Sequence, residues 1–224
     1  MKSIIIFGKG PSVLKCTRKI VDDHDEIAIC NYPPLNDFFY SLIKDKTIHY
    51  HFANCGTFDP RWTNELNHKL QIQKIFNTNR GTNNYMNYLN NNTLFQNENL
   101  YQTIYKDYYY NIYKSKPNTG VMALQYILNT KLYDKITLVG FDGFKLGSTV
   151  YYYDMRYLSQ PLKYLVGGNG PYNKNGKILV DNLEHPFDIT FKYLNDTIQQ
   201  NSNINFTFIT NIKFDKNYNN LSIL

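Results

Sequence analysis

With 224 residues, 42% of them hydrophobic, the chain can bury a sizeable core, and its length favours one α/β domain or one domain with an elaborated lid. The formal charge of +6 suits an anionic ligand such as a nucleotide, but Lys and Arg are scattered and no basic tract occurs, so nucleic acid is not expected as a partner. The aromatic share of 16% is dominated by 21 Tyr, and runs such as Tyr105-Lys106-Asp107-Tyr108 read as half-buried elements rather than stacking platforms.

Ser3-Ile4-Ile5-Ile6-Phe7 is a short, β-branched run bounded by Gly, the pattern of a buried parallel strand. Gly8-Lys9-Gly10-Pro11-Ser12 then turns into a helix. Gly8 and Gly10 allow a tight turn and close approach to a ligand, Pro11 suits a first helical position, and the first-turn amides can face an anion. The third glycine of a dinucleotide fingerprint and the Gly-Lys-Ser/Thr ending of a P-loop are both missing, and a plain sheet-to-helix turn explains the run equally well. Residues 26–30 form a second strand, followed by Asn31-Tyr32-Pro33-Pro34, and residues 46–52 a third, ending at Ala53-Asn54-Cys55-Gly56. Residues 57–113 carry a weaker signal, with a fourth strand within 70–76 and short helices or loops after it.

Pro117-Asn118-Thr119-Gly120 opens a helix with Val121, Leu124 and Leu128 at helical spacing. Lys135-Ile136-Thr137-Leu138-Val139-Gly140 is a buried strand running into Gly140-Phe141-Asp142-Gly143. Residues 155–184, with Gly167-Gly168-Asn169-Gly170, form a long loop expected to act as a lid. Phe187, Phe191, Leu194 and Ile198 mark a closing helix over 186–199, and residues 205–210 a final strand. With no repeat or linker, residues 1–224 read as a single Rossmann-like, doubly wound α/β domain with a mainly parallel sheet and a lid loop.

Cys16, Cys30 and Cys55 show neither Cys-x-x-Cys spacing nor a nearby His pair suited to zinc, and read as reduced, packed thiols. The run 4–7 is too short for a signal-peptide core or a membrane span, so a cytoplasmic protein without a transmembrane segment is expected, with peripheral attachment to a membrane left open. Asp23-His24-Asp25 precedes its strand, the wrong edge of the sheet for a ligand, and reads as a solvated turn; no metal site is expected. His49 and His51 share one face of a strand with no third ligand in the pattern and read as packed side chains, whereas His24 and His68 read as solvated.

Ligands in such sheets bind beyond the carboxyl ends of the strands, where Gly8 to Ser12, Asn31, Asn54, Asn118 to Gly120, and Gly140, Phe141 and Asp142 converge. The wording of these segments resembles a family. Gly8-Lys9-Gly10-Pro11-Ser12 resembles the opening of the sialyltransferases, and Asp23-His24-Asp25-Glu26-Ile27 through Cys30-Asn31-Tyr32-Pro33-Pro34 is similar to the end of the eukaryotic large sialylmotif. Lys116-Pro117-Asn118-Thr119-Gly120-Val121 with Tyr133-Asp134-Lys135-Ile136-Thr137-Leu138-Val139-Gly140-Phe141 resembles the small sialylmotif. The same segments resemble the shorter bacterial sialyltransferases, whose size is closer to this chain.

The resemblance implies metal-independent transfer of sialic acid or a related acidic sugar from a CMP-linked donor to a glycan hydroxyl. The donor is then a substrate, no cofactor is expected, and a homo-oligomer is compatible with it. By the same resemblance Gly8, Gly10, Ser12, Asn31 and Asn54 would hold the nucleotide, Asn118, Thr119 and Gly120 would contact the donor, and His185 would be the general base. In the bacterial relatives two tyrosines after the Gly-x-Asp strand end stabilise the leaving phosphate. Phe144 stands where the first is expected, and Tyr151 or Tyr152 is the candidate for the second, with simple strand packing as the other reading. Lys9 either pairs with the phosphate or faces water.

Chemistry supports His185, since deprotonating a sugar hydroxyl needs a base that titrates near neutrality. Of the five His it alone stands at a loop-to-helix junction beside the candidate lid, where a helix N-terminus favours the neutral ring; a mere cap before Pro186 is the other reading. Two further functions stay open. A pterin diphosphokinase-like phosphotransferase would need magnesium-binding carboxylates near the glycine turn, where only Asp142 offers itself, and an inactive nucleotide- or glycan-binding module would be consistent with Phe144.

Overall fold

The computed structural model describes residues 2–31, 37–53, 70–78, 93–96, 98–143, 185–214 and 217–224. Its strands are β1 (Lys2–Phe7), β2 (Glu26–Cys30), β3 (Thr47–Ile48), β4 (Tyr50–Ala53), β5 (Gln71–Ile72), β6 (Ile75–Asn77), β7 (Phe95–Gln96), β8 (Tyr133–Val139), β9 (Asn205–Ile209) and β10 (Leu221–Ile223). Its helices are α1 (Arg18–Asp22), α2 (Asp37–Ile43), α3 (a π-helical stretch Tyr101–Tyr109 continued by the α-turn Tyr110–Tyr113), α4 (Thr119–Thr130) and α5 (Phe187–Gln200).

Eight strands pair in the order β10-β9-β8-β1-β2-β4-β6-β7, all of them parallel. The chain builds outward from β1 to β7 and then returns to the other side of β1 with β8, β9 and β10. The winding direction therefore reverses between β1 and β8, the point at which sheets of this kind leave a crevice beyond the carboxyl ends of the strands.

Both faces of the sheet are covered, which explains why β1 is apolar at consecutive positions. Ile4 and Ile6 pack on one side with Val121, Leu124 and Ile127 of α4 and with Tyr193, Leu194 and Ile198 of α5. Ile5 and Phe7 pack on the other side with Val21 of α1 and with Phe39, Leu42 and Ile43 of α2. The result is a three-layer, Rossmann-like α/β fold. Much of the tyrosine is structural: Tyr109 and Tyr193 are fully buried, with ring centroids 5.4 Å apart.

Several elements differ from the sequence expectation. The strand expected over 46–52 is two strands in different sheets, because His49 interrupts the ladder. His49 donates its N–H to Ile27 O at 2.9 Å, and its ring Nδ1 accepts the Ile27 N–H at 3.3 Å. β3 then pairs with β5 in a separate ladder, while β4 pairs with β2 and β6. The strand expected within 70–76 is likewise resolved into β5 and β6, α3 falls where short helices or loops are expected, and α2, β7 and β10 match no expected element. The closing helix begins at Phe187, and its buried face is Thr190, Tyr193, Leu194, Thr197 and Ile198, while Phe187 and Phe191 are half-buried and stack at 5.8 Å. The expected lid, 155–184, lies outside the described residues. Among those described, no helix is long and apolar enough to cross a membrane.

Candidate functional site

At the reversal point the β1 and β8 exits are packed backbone to backbone. Gly8 donates its N–H to Val139 O at 2.7 Å and Gly10 to Gly140 O at 2.9 Å. A Cβ on Gly10 would lie 2.3 Å from Asp142 Oδ2, and one on Gly8 would lie 2.6 Å from Gly140 O, so both glycines serve the close approach of the two loops. Gly140 has a φ of +73°, the left-handed region.

Asp142 fastens this junction. Its Oδ2 accepts the Ser12 N–H and faces the Ser12 hydroxyl, each at 2.8 Å, and its Oδ1 accepts the Thr210 hydroxyl at 3.1 Å and the Asn211 N–H at 2.7 Å. The carboxylate is buried and ties together the exits of β1, β8 and β9. Of the first-turn amides expected to face an anion, that of Ser12 is thus spent inside the fold, as are the amides of Gly8 and Gly10 in the turn before it. The helix expected after the turn is a short 3-10 segment, Pro11–Lys15, with Pro11 at its first position. Between the two glycines Lys9 is half-buried, and burial pulls its ammonium down to about 8, only partly countered by the neighbouring Cys30.

The other wall of the crevice is built from the end of β2 and the start of α4. Asn118 caps α4, its Oδ1 accepting the Val121 N–H at 2.9 Å. Thr119, in the first turn, donates its hydroxyl proton to Asn31 Oδ1 at 3.2 Å. Phe141 closes the gap between the walls: a Cβ on Gly120 would lie 2.8 Å from its ring and one on Gly8 3.4 Å. The positive end of a twelve-residue helix thereby faces the β1–β8 junction, a placement that favours an anion.

His185 joins the same edge from the far side of the sequence. Its Nδ1 lies 2.9 Å from Lys116 O, in the strap that leads into α4. A carbonyl only accepts, so Nδ1 carries the proton and, in the neutral ring, Nε2 is the basic nitrogen. The cap position of α5 belongs to Pro186, without a side-chain cap, so His185 is not the helix cap of the alternative reading. Asn54, Tyr151 and Tyr152 lie outside the described residues.

The remaining described histidines are structural. His51 is fully buried and donates Nε2–H to Asn31 O at 2.8 Å. His24, expected in solvent, is half-buried: its ring nitrogens meet Ile20 O and Thr137 Oγ1, each at 2.7 Å, joining α1 to β8. Sequence reasoning missed Thr78, whose hydroxyl lies 3.5 Å from that of Thr119. Only its position just past a strand end pointed to it.

Fold and crevice together define a Rossmann-like α/β protein. Solved structures share that fold at low identity. The sialyltransferase CstII from Campylobacter jejuni in complex with the substrate analogue CMP-3FNeuAc is 17% identical with a TM-score of 0.62, over 93% of this chain and 81% of that one. The same sialyltransferase with cytidine-5'-monophosphate is 17% identical with a TM-score of 0.64, over 99% and 85%. The sialyltransferase CST-II with trisaccharide acceptor and CMP is 16% identical with a TM-score of 0.54, over 98% and 93%. No family model matches the sequence, and no curated protein is a significant match.

Proposed function

We propose that the protein is a glycosyltransferase that moves sialic acid or a related acidic sugar from a CMP-linked donor to a glycan hydroxyl, without a metal ion. His185 Nε2 takes the proton of the acceptor hydroxyl, the oxygen attacks the anomeric carbon, and the bond from that carbon to phosphate breaks with its electron pair leaving on CMP. The observation that carries this reading is the bond from His185 Nδ1 to Lys116 O, which sets the tautomer a general base requires, at the same edge as the start of α4. Asn31 and Thr119 bind the donor with the α4 N-terminus behind them, and Lys9 pairs with the phosphate. Gly8, Gly10, Ser12, Gly140 and Asp142 act by holding the β1 and β8 exits in register.

The diphosphokinase reading relied on Asp142 as a magnesium ligand, and that carboxylate is instead engaged by Ser12, Thr210 and Asn211. The test is a thermal-shift panel of cytidine, uridine, guanosine and adenosine monophosphates, with and without a chelator. CMP alone should raise the melting temperature, equally in both conditions; at a hundredfold excess over Kd the stabilisation is about 2.7 kcal/mol. Stabilisation by uridine or adenosine nucleotides only, or its loss in chelator, overturns the assignment. Transfer from a CMP-linked sialic acid then separates an enzyme from an inactive binding module.

A further inference from the structure

Phe187 opens α5 two residues after His185, and its ring is pressed against the exit of β8. A Cβ on Gly143 would lie 2.7 Å from Cδ2 and 2.9 Å from Cε2 of that ring, so the ring occupies the space a side chain at 143 would need. Gly143 also has a φ of +68°, so the seat requires glycine for two reasons. The seat is firm. Gly143 follows Asp142, whose buried carboxylate is bonded to Ser12, Thr210 and Asn211, and the Ile212 side chain lies 3.9 Å from the same Cβ position. The Phe187 ring in turn stacks on Phe191 at 5.8 Å, Phe191 meets Phe214 at 5.2 Å, and Phe214 meets the buried Phe208 of β9 at 5.1 Å.

Little freedom separates this seat from His185. The one residue between them is Pro186, with a φ of −56° and a ψ of 135°, and a proline fixes its own φ and confines the residue before it to extended backbone. Where Phe187 is seated therefore decides where the His185 backbone stands, and the bond from Nδ1 to Lys116 O at 2.9 Å decides how the ring is turned. Neither contact alone places Nε2.

We propose that Phe187, seated on Gly143, is a positioning residue for His185: it brings the ring within reach of Lys116 O and so aims Nε2. That the aimed nitrogen is the base of a sugar transfer rests on the function proposed above; the seating of the ring does not.

Three substitutions separate the seat from the ring. Gly143→Ala unseats the Phe187 ring without changing it, Phe187→Leu keeps apolar bulk and loses the ring, and Phe187→Tyr keeps the ring. In 15N-labelled protein without ligand, the His185 ring nitrogens are assigned by their loss in His185→Gln, and their shifts report which nitrogen carries the proton. With the ring neutral, wild type and Phe187→Tyr should hold the Nδ1–H form, whereas Gly143→Ala and Phe187→Leu should move toward the Nε2–H form as the bond to Lys116 O is lost. The ring nitrogens of His24, which join α1 to β8, should stay in place throughout. Transfer from a CMP-linked sialic acid should slow about 10- to 100-fold in the alanine and leucine variants, the scale of a misplacement of about 1 Å, with CMP affinity unchanged. Should Gly143→Ala not fold, Phe187→Leu carries the same readouts. A His185 ring that keeps its Nδ1 proton in these variants, a tyrosine variant that behaves like leucine, or equal movement at His24 overturns the inference. If the tautomer follows Phe187 but wild-type protein transfers no sugar, the positioning stands and the enzyme reading falls.

Discussion

The two ends of the central sheet both hold buried polar groups, and they hold them differently. At the amino end Glu26, only 6% exposed, is bonded to Lys2 and to the Tyr133 hydroxyl, which in turn meets the Tyr50 hydroxyl at 2.9 Å. Burial alone pushes the Glu26 carboxyl up, but Lys2 and Tyr133 outweigh it and hold the group below its usual range. At the carboxyl end Asn31 is in a left-handed conformation and Lys9 bears an ammonium that burial disfavours. At one end ion pairing and hydrogen bonding outweigh burial; at the other burial outweighs the opposing charge, and the ammonium form is disfavoured.

The largest expected effect falls on the carboxyl end. His185→Ala should lower turnover roughly 10²- to 10⁴-fold, the usual worth of general-base catalysis, and leave CMP affinity unchanged, as measured by initial rates and calorimetry. Wild-type turnover in this variant would show that the ring is only a structural link to Lys116. Asp142→Asn should cost about 2–3 kcal/mol in urea unfolding, because an amide nitrogen in place of either oxygen would meet a backbone N–H, of Ser12 or of Asn211. An unchanged urea midpoint would mean that the junction does not depend on the charge.

Tyr133→Phe isolates the amino end. It removes the hydroxyl bonded to Glu26 and should cost about 1–2 kcal/mol with no change in CMP affinity. Weaker nucleotide binding would show that the two ends are coupled. The last effect is a slope rather than a step. The Lys9 pKa is about 8 folded and 10.5 in its ordinary state, so between those values the unfolded chain binds a proton that the folded chain does not. Stability should therefore rise from pH 8 toward about 10, where the tyrosines begin to oppose it, and Lys9→Met should flatten the rise. If the phosphate pairs with Lys9, CMP binding near pH 9 takes up a proton, seen as a binding enthalpy that varies with buffer. Equal enthalpies across buffers would place the phosphate elsewhere.

What the sequence made legible was local. β1, β2, β8, α4 and α5 are each carried by one uninterrupted pattern, and their positions follow from strand and helix period. The strand end at Asn31, the cap at Asn118 and the junction at His185 are likewise marked by residue type within a few positions. The split at His49 was hidden because a side chain took the place of a backbone partner, which no periodicity records. Asp142 reads as a ligand residue because its partners Ser12 and Thr210 lie 130 and 68 positions away. Thr78 is silent for the same reason: its approach to Thr119 exists only once β6 lies beside α4. The short β10 offers three residues, too few for a period to emerge.

The partner of His185 is a main-chain oxygen, and this bears on how the chain can vary. Substituting residue 116 leaves that oxygen in place, so selection acting on side chains has no direct grip on the contact. Pro117 supplies the grip instead, because a proline confines the residue before it to extended backbone and so fixes where the Lys116 carbonyl points. Diverging copies of this chain are therefore free to drift at 116 while the histidine keeps its tautomer.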